Sequence, residues 1–176
     1  MKIVFFGNGN RAYNSLKYLI EKDVKIKCIV GLHFEEDKFF SIIQLAKNNK
    51  ILYFLTDNPN DKSSIKFLNK LNADLFILGG YSKILKKEVI EIPKKFCINL
   101  HGGKLPNYRG SSPLNWALIN NEREFTISII KVEMGIDTGE ILKEHKQTIE
   151  TEDTILDLHR KANEQFPKLL LKVINE

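Results

Sequence analysis

An amide and an imidazole stand two residues apart near the middle of the chain. Asn99 and His101 end an apolar run that reads as a β-strand, so both side chains are expected on one face. Together they can hold a developing oxyanion, and the imidazole can also move a proton near neutral pH. Asp137 follows the next strand and is expected to reach His101 and orient it. The alternative is an ordinary surface histidine beside a strand-end cap.

The loop that follows His101 is rich in special residue types. Two glycines, a proline, an arginine and a third glycine come in quick succession. A site needs several converging groups, so this loop favours a functional interpretation. Arg109 is expected to position a phosphate or to shape the loop, with Lys104 and Tyr108 beside it facing a substrate. Exposed loop side chains are the alternative for Arg109 and Lys104.

The elements that must position these residues alternate along the first part of the chain. Short apolar runs predict strands at 2–6, 24–30, 51–54, 74–78 and 96–100. Amphipathic segments predict helices at 11–21, 35–47, 61–71 and 82–89. Asp61 is expected to cap the third helix. This alternation predicts an α/β fold in which helices flank a mostly parallel sheet.

The later part of the chain has a different pattern. Pro113 fits the first turn of a short helix that Ser111 or Ser112 would cap. Two strands are predicted at 125–133 and 140–149, and they favour an antiparallel or mixed extension of the sheet. A long amphipathic helix to about Val173 would begin at Thr151 or Asp153. Pro167 predicts a kink or break in it near Gln165.

Ligands of open parallel sheets bind outside the carboxyl ends of the strands. That rule selects residues 7–10, 79–81, 99–110 and 134–139, of which the third group carries the chemistry. The first contains Asn8, Gly9 and Asn10, whose backbone N–H groups at a helix start could bind phosphate. Any tight strand-to-helix turn also favours glycine, so this signal is weak.

Composition limits the remaining possibilities. The chain has 176 residues, a net charge of +5 and lysines scattered along its length, which indicates a solvated surface more than a nucleic-acid site. No apolar run is long enough for a transmembrane helix, and the N-terminus reads as a strand and not as a signal peptide. Cys28 and Cys97 lie in apolar contexts typical of reduced core residues in a cytoplasmic protein. The four histidines lack metal-ligand spacing, so no metal is expected.

Two segments carry a resemblance to a known family. Residues 99–116 read NLHGGKLPNYRGSSPLNW and residues 134–141 read MGIDTGEI. These segments, within a resemblance that covers most of the chain, are similar to the formyltransferases that use 10-formyltetrahydrofolate as donor. The resemblance implies a Rossmann-like fold and a catalytic trio at Asn99, His101 and Asp137. It implies formyl transfer to an amine without a covalent enzyme intermediate.

The resemblance also implies where the donor binds. The family holds the folate against the loop after the fourth strand and the loop before the catalytic aspartate. In this sequence those loops contain the following residues: Tyr81, Ser82, Lys83, Ile84, Leu85, Glu133, Gly135 and Ile136. Backbone groups are expected to read the pterin edge, whereas Ile84 and Leu85 could equally be core residues. The donor is the only cofactor expected.

The acceptor is expected from the same resemblance. The segment PLNW at 113–116 is similar to formyltransferases that act on nucleotide-linked amino sugars, so a small-molecule sugar acceptor is the main expectation. Glycinamide ribonucleotide and methionyl-tRNA are the alternatives, and tRNA is considered the less favoured partner. Gly103 and Lys104 depart from the family's common loop and leave the acceptor contacts open.

The last expectations concern the domain organisation of the chain and an alternative class of function. Residues 1–176 are interpreted as a single catalytic domain without the C-terminal domain of the tRNA enzyme. A homodimer is left open, and no membrane partner is expected. An inactive folate-binding module that keeps the fold is the alternative from another class.

Overall fold

The computed structural model describes residues 1–35 and 41–176, with only the backbone described at residue 35. The chain forms two compact units, Met1–Asn99 and Leu100–Glu176. The interpretation of residues 1–176 as one catalytic domain stays a prediction. Phe39, which was expected on the second helix, lies outside the described residues.

A parallel sheet forms the centre of the first unit. Its strands are hydrogen-bonded in the order β3-β2-β1-β4-β5, and every pairing among them is parallel. The strands are β1 (Ile3–Gly7), β2 (Ile26–Gly31), β3 (Leu52–Leu55), β4 (Leu75–Gly79) and β5 (Phe96–His101), of which β5 continues two residues beyond the unit. All residues of β1 and β4 are buried, as expected for central strands that are covered on both faces. The predicted parallel sheet is confirmed.

Helices connect these strands. They are α1 (Gly9–Glu21), α2 (Ile42–Asn48), α3 (Lys62–Lys70) and α4 (Lys87–Ile90), with a short 3₁₀ helix at His33–Glu35. Asp61 caps α3 as predicted, because its carboxylate accepts a hydrogen bond from the Ser64 N–H. The helix predicted at 82–89 is shorter than expected. Residues 82–86 form a loop, and the helix begins only at Lys87.

Aromatic and aliphatic side chains fill the core of the first unit. Phe5, Phe6 and Phe76 are fully buried, and the Phe6 and Phe76 rings lie 5.0 Å apart. Cys28 and Cys97 are buried free thiols, as their apolar contexts predicted. Burial raises the pKa of Cys28 to about 12, because the thiolate would lose its hydration. These cysteines are therefore core residues and not nucleophiles.

The second unit is built from two strands and two helices. They are α5 (Pro113–Ile119), β6 (Glu124–Lys131), β7 (Ile141–Thr148) and α6 (Ile155–Asn175). β6 and β7 pair antiparallel, with Ile127 opposite His145. Hydrogen bonding orders the seven described strands β3-β2-β1-β4-β5-β6-β7. The antiparallel extension predicted from the consecutive strands is confirmed.

The predicted cap of α6 and the predicted break of that helix near Gln165 were wrong. Thr154 begins α6, and it forms a capping box with Asp157 that neither Thr151 nor Asp153 makes. The helix continues through Pro167, whose neighbours Phe166 and Leu169 are buried, so packing maintains the helix where the proline removes a hydrogen bond.

The start of α5 agrees with the expectation in position. Pro113 is in the first turn and Ser112 is the N-cap residue, as predicted, but the Ser112 side chain makes no capping hydrogen bond. Ser112 has φ +56°, in the left-handed region, and an N-cap side chain ordinarily works from an extended backbone.

Within residues 1–35 and 41–176, no helix is long and apolar enough to cross a membrane. The same part of the chain contains no group of three His, Cys, Asp or Glu side chains that could hold a metal ion.

Candidate functional site

The end of β5 carries the first two candidate residues. Cys97, Ile98 and Leu100 are buried and anchor the strand, whereas Asn99 is half-buried and His101 is 4% exposed. Asn99 and His101 are two residues apart on this extended strand, so their side chains share a face. The apolar residues of β5 therefore fix the direction in which an amide and an imidazole point.

His101 and Asp137 lie together in the second unit. The Asp137 Oδ2 atom is 3.3 Å from the His101 Nδ1 atom, and the two side chains are 14% and 4% exposed. Asp137 has φ +48°, in the left-handed region that non-glycine residues seldom adopt. The loop thus holds a strained backbone at the residue that faces His101. The expected proximity of this pair is present in the structure.

The second ring nitrogen of His101 is also occupied. Its Nε2 atom is 2.6 Å from the backbone carbonyl oxygen of Tyr108. A carbonyl oxygen only accepts hydrogen bonds, so Nε2 must carry a proton to make this one. An ionised Asp137 likewise only accepts. Both contacts can be hydrogen bonds together only when His101 is doubly protonated, which is the charged form that would stabilise an oxyanion.

The residues after Tyr108 hold Asp137. The Arg109 Nε–H donates to the Asp137 carbonyl oxygen at 3.1 Å, and the Gly110 N–H donates to Asp137 Oδ2 at 3.0 Å. Arg109 thereby shapes the loop, which is one of the two roles expected for it. Tyr108, Arg109 and Gly110 thus form a template that contacts both members of the pair.

Gly103 and Ser128 are supporting residues that the sequence reasoning missed or left open. A Cβ atom at Gly103 would lie 2.6 Å from the Tyr108 carbonyl oxygen and 2.8 Å from His101 Nε2, so only glycine fits. The buried Ser128 hydroxyl donates to the Gly103 carbonyl oxygen at 3.0 Å, and it also lies 3.2 Å from Glu144 Oε1. A signal for Ser128 was present, since Thr126 and Ser128 are the polar residues inside an otherwise apolar strand.

A cleft that is open to solvent lies on the Tyr108 side of this loop. Lys104 and Tyr108, both expected to face a substrate, line it together with Glu122 and Glu124. The cleft therefore combines one ammonium group, a phenol and two carboxylates beside the loop that holds His101.

The loop expected to bind the donor is braced within the first unit. The Ser82 N–H donates to Asn8 Oδ1 at 3.0 Å. The Asn60 amide donates to the Ile84 carbonyl oxygen at 2.8 Å and accepts from the Lys86 N–H at 2.7 Å. Ile84 is 76% exposed, while the neighbouring Leu85 is buried. Leu85 is therefore core, and Ile84 is the apolar side chain of this loop that is available to a ligand.

Tyr81 and Lys83 complete the described contacts of that loop. The Tyr81 ring packs edge-on against Phe6, and its buried hydroxyl has no hydrogen-bond partner in the part of the chain that the structure describes. Burial raises the pKa of the Tyr81 phenol above its ordinary value. Lys83 is exposed and lowers the pKa of the Asp57 carboxyl as a minor contributor, after the hydrogen bond from His33.

The turn at Asn8, Gly9 and Asn10 begins α1 as predicted. Gly9 has φ +70°, a conformation that explains the glycine without any ligand. Asn8 does not cap the helix, because its side chain accepts from Ser82. Arg11 follows on the first turn, and burial lowers the pKa of its guanidinium to about 10.

The loop before Asp137, in the second unit, is exposed to solvent. Glu133, Gly135 and Ile136 are all exposed, and Met134 and Ile136 expose 69% and 66% of their surface. Gly135 packs so closely on Thr138 that a Cβ atom would clash with its hydroxyl. Two large apolar side chains beside the His101–Asp137 pair are unusual for a surface loop, so they fit a ligand contact.

Comparisons with known proteins agree with the fold and the motifs. A family model described as formyl transferase matches residues 1–174. The chain is 40% identical over 183 aligned residues to a methionyl-tRNA formyltransferase of Clostridium tetani, covering 99% of this chain and 58% of that protein. It is 35% identical to the bifunctional polymyxin resistance protein ArnA of Wigglesworthia glossinidia brevipalpis, covering 100% of this chain and 29% of that protein.

A solved structure shares the fold. Glycinamide ribonucleotide transformylase 1 from Symbiobacterium toebii superposes with a TM-score of 0.84 at 17% identity, covering 99% of this chain and 85% of that one. At this identity the likeness establishes the fold alone. The chain spans a little over half the length of the methionyl-tRNA formyltransferase that it matches.

Proposed function

The chain belongs to the formyl transferase family, and we propose that it transfers a formyl group from 10-formyltetrahydrofolate to an amine. The observation that carries this proposal is the enclosed His101–Asp137 pair at the end of β5, with Asn99 two residues earlier on the same strand. These residues match the trio implied by the family's motif. Their chemistry is that of a charged hydrogen-bonding site for an acyl oxygen.

The bound donor would supply the formyl carbon that the acceptor amine attacks. Asn99 would donate its amide N–H to the formyl oxygen as negative charge develops there, and His101 would add its positive charge. Nε2 of His101 is committed to the Tyr108 carbonyl, so the nitrogen that serves the reaction is Nδ1, on the Asp137 side.

Asp137 would have two tasks in this scheme. Its carboxylate keeps the imidazole charged, and it accepts the proton that the amine loses, directly or through water. The departing tetrahydrofolate nitrogen takes up a proton in return. The Gly110 N–H donates to Asp137 Oδ2 and fixes the orientation of this carboxylate.

Two loops support the proposed donor site, each by its own features. In the first unit, Asn60 and Asn8 brace the loop from Tyr81 to Leu85, and Ile84 stands exposed on it. In the second unit, Ile136 exposes a comparable apolar surface next to Asp137. Apolar side chains on rigid loops, with backbone groups beside them, suit a planar pterin ring.

The relatives favour methionyl-tRNA as the acceptor, against the expectation of a nucleotide-linked amino sugar. The chain is 40% identical to one methionyl-tRNA formyltransferase and 36% to another, from Fusobacterium nucleatum. The amino sugar remains the second candidate, because the ArnA relative aligns with the whole chain and the PLNW segment presents a Trp116 that is 52% exposed. The cleft lined by Lys104 and Tyr108 is the proposed acceptor side in either case.

The proposal is tested by offering the chain 10-formyltetrahydrofolate with methionyl-tRNA, several nucleotide-linked amino sugars or glycinamide ribonucleotide. Release of tetrahydrofolate that depends on one acceptor supports the proposal and identifies that acceptor. Asn99→Ala should lower the rate by about 10²–10³-fold with the fold intact, since it removes one oxyanion donor. Folate binding without transfer to any amine would instead identify an inactive folate-binding module.

A further inference from the structure

Tyr108, Arg109 and Gly110 contact both members of the His101–Asp137 pair. The side chain of Tyr108 is in turn held by residues outside this segment. The Tyr108 carbonyl holds His101, and the Gly110 N–H holds Asp137. Tyr108 closes a turn on Lys104 through its N–H at 2.8 Å. A backbone turn on the surface is not rigid by itself, so the precision of this template depends on what fixes the Tyr108 side chain.

The Tyr108 hydroxyl is fixed by two residues in the turn that follows α5. It donates to Glu122 Oε1 at 2.6 Å and accepts from the Asn120 side-chain amide at 3.1 Å. The bond to Glu122 raises the pKa of the Tyr108 phenol, as expected when a phenol proton is shared with a carboxylate. Glu122 is itself held by the helix end, where its N–H donates to the Ala117 carbonyl oxygen at 2.9 Å.

We propose that Tyr108 and Glu122 are positioning residues for the formyl transfer, acting on His101 through the Tyr108 carbonyl. The inference rests on the proposed function and assigns Tyr108 a role other than acceptor contact. One end of the tyrosine holds the His101 Nε2–H, and the other end is hydrogen-bonded to Glu122 in the turn after α5. Loss of the bond to Glu122 lets the carbonyl move away, and the ring of His101 can then turn from Asp137.

The steric surroundings transmit this effect. A Cβ atom at Gly103 would clash with both the Tyr108 carbonyl oxygen and His101 Nε2, so both groups lie close to this residue. Ser128 holds the Gly103 carbonyl from β6. The carbonyl of Tyr108 is therefore confined on the Gly103 side, and the phenol anchor determines its position along the remaining direction.

Kinetics of a double-mutant cycle test the proposal. Tyr108→Phe and Glu122→Ala should each lower kcat about fivefold, the effect of one lost hydrogen bond. The double variant should lose no more than either single variant, whereas independent roles would multiply to about 25-fold. Glu122→Gln should restore most of kcat, because its amide oxygen still accepts the phenol proton. Tyr18→Phe and Glu91→Ala, both outside the site, are the matched controls.

A different pattern would overturn the inference. If Tyr108 contacts the acceptor, Tyr108→Phe raises the acceptor KM and leaves kcat unchanged, and Glu122→Ala does not reproduce it. If the losses of kcat multiplied in the double variant, that result would equally contradict the proposal that Tyr108 and Glu122 act as one unit.

A second readout does not need activity. In the unmodified chain the His101 Nε2 proton should exchange slowly in ¹⁵N-resolved NMR spectra, because the Tyr108 carbonyl holds it. Tyr108→Phe should accelerate that exchange while the melting temperature stays near its original value. Unchanged exchange would contradict the positioning role, even if the chain transferred no formyl group, so failure of this inference and failure of the proposed function can be told apart.

Discussion

Two His–Asp pairs in the described part of the chain join the same two atoms, Nδ1 and Oδ2, but differ in distance and in exposure to solvent. In the first unit, His33 Nδ1 lies 2.8 Å from Asp57 Oδ2, and the side chains are 61% and 57% exposed. In the second unit, His101 Nδ1 lies 3.3 Å from Asp137 Oδ2, and the side chains are 4% and 14% exposed. The shorter pair is thus the one that faces water.

This difference shows that distance alone does not rank the two pairs as candidates for chemistry. His33 and Asp57 are joined by their side chains and by a backbone hydrogen bond at 3.3 Å, and solvent screens the rest. His101 and Asp137 are enclosed, and a carbonyl, an N–H and a guanidinium nitrogen contact them in addition. Charges that are shielded from water interact more strongly, so the enclosed pair is the one suited to chemistry.

Replacing the two histidines should give the largest contrast. His101→Ala should lower formyl transfer by about 10²–10³-fold, because the oxyanion loses a charged partner in a water-poor site. His33→Ala should leave the rate within about twofold, as expected for an exposed pair that contributes little. Steady-state rates with the acceptor identified for the chain measure both effects. Equal losses in the two variants, with both folded, would mean that the enclosed pair has no special role.

Removing the buried Ser128 hydroxyl, which supports the loop at His101, should give an effect of intermediate size. Ser128→Ala deletes the donor to the Gly103 carbonyl and should lower the free energy of unfolding by about 1 kcal/mol. Thr126→Val is the matched control on the same strand, because the buried Thr126 hydroxyl has no partner among the described residues. That variant should be as stable as the original or more so, since an unsatisfied group is removed.

Chemical denaturation measures the free energy of unfolding of the Ser128→Ala and Thr126→Val variants. The rate of formyl transfer should also fall several-fold in Ser128→Ala. A stable Ser128→Ala variant with a normal rate would show that β6 does not support the loop at Gly103.

Much of the fold could be predicted from the sequence because its signals are local. Apolar runs such as residues 74–78 identified the strands, and Asp61 identified a helix start. The limits of the elements in the second unit were harder to predict, since Pro167 does not break α6 and its cap is Thr154, not Thr151 or Asp153. In both cases packing or a neighbouring side chain overrode the local preference.

The side chains of the candidate site could be predicted from the sequence, but most of their hydrogen-bond partners could not. The spacing of Asn99 and His101 and the loop of Asp137 gave the chemical groups, because residue type and strand period suffice for that. The Tyr108 carbonyl, the Gly110 N–H and Ser128 were not foreseen as partners. Backbone groups leave no trace in residue identity, and a serine in a buried strand does not indicate which carbonyl it will meet.

The smallest expected effect concerns the exposed His33–Asp57 pair, and a pH titration detects it most directly. The hydrogen bond from His33 holds the pKa of Asp57 below its ordinary value of 3.8. Since the folded pKa lies below the unfolded one, the pair stabilises the fold above about pH 4 and loses that effect as the pH falls through the folded pKa. His33→Asn should raise the pKa of Asp57 toward 3.8, and added salt should weaken the shift in the original chain. NMR titration of the Asp57 carboxyl measures both changes. A shift that resisted salt would mean that Asp57 is shielded from water, and the contrast with the enclosed pair would then be lost.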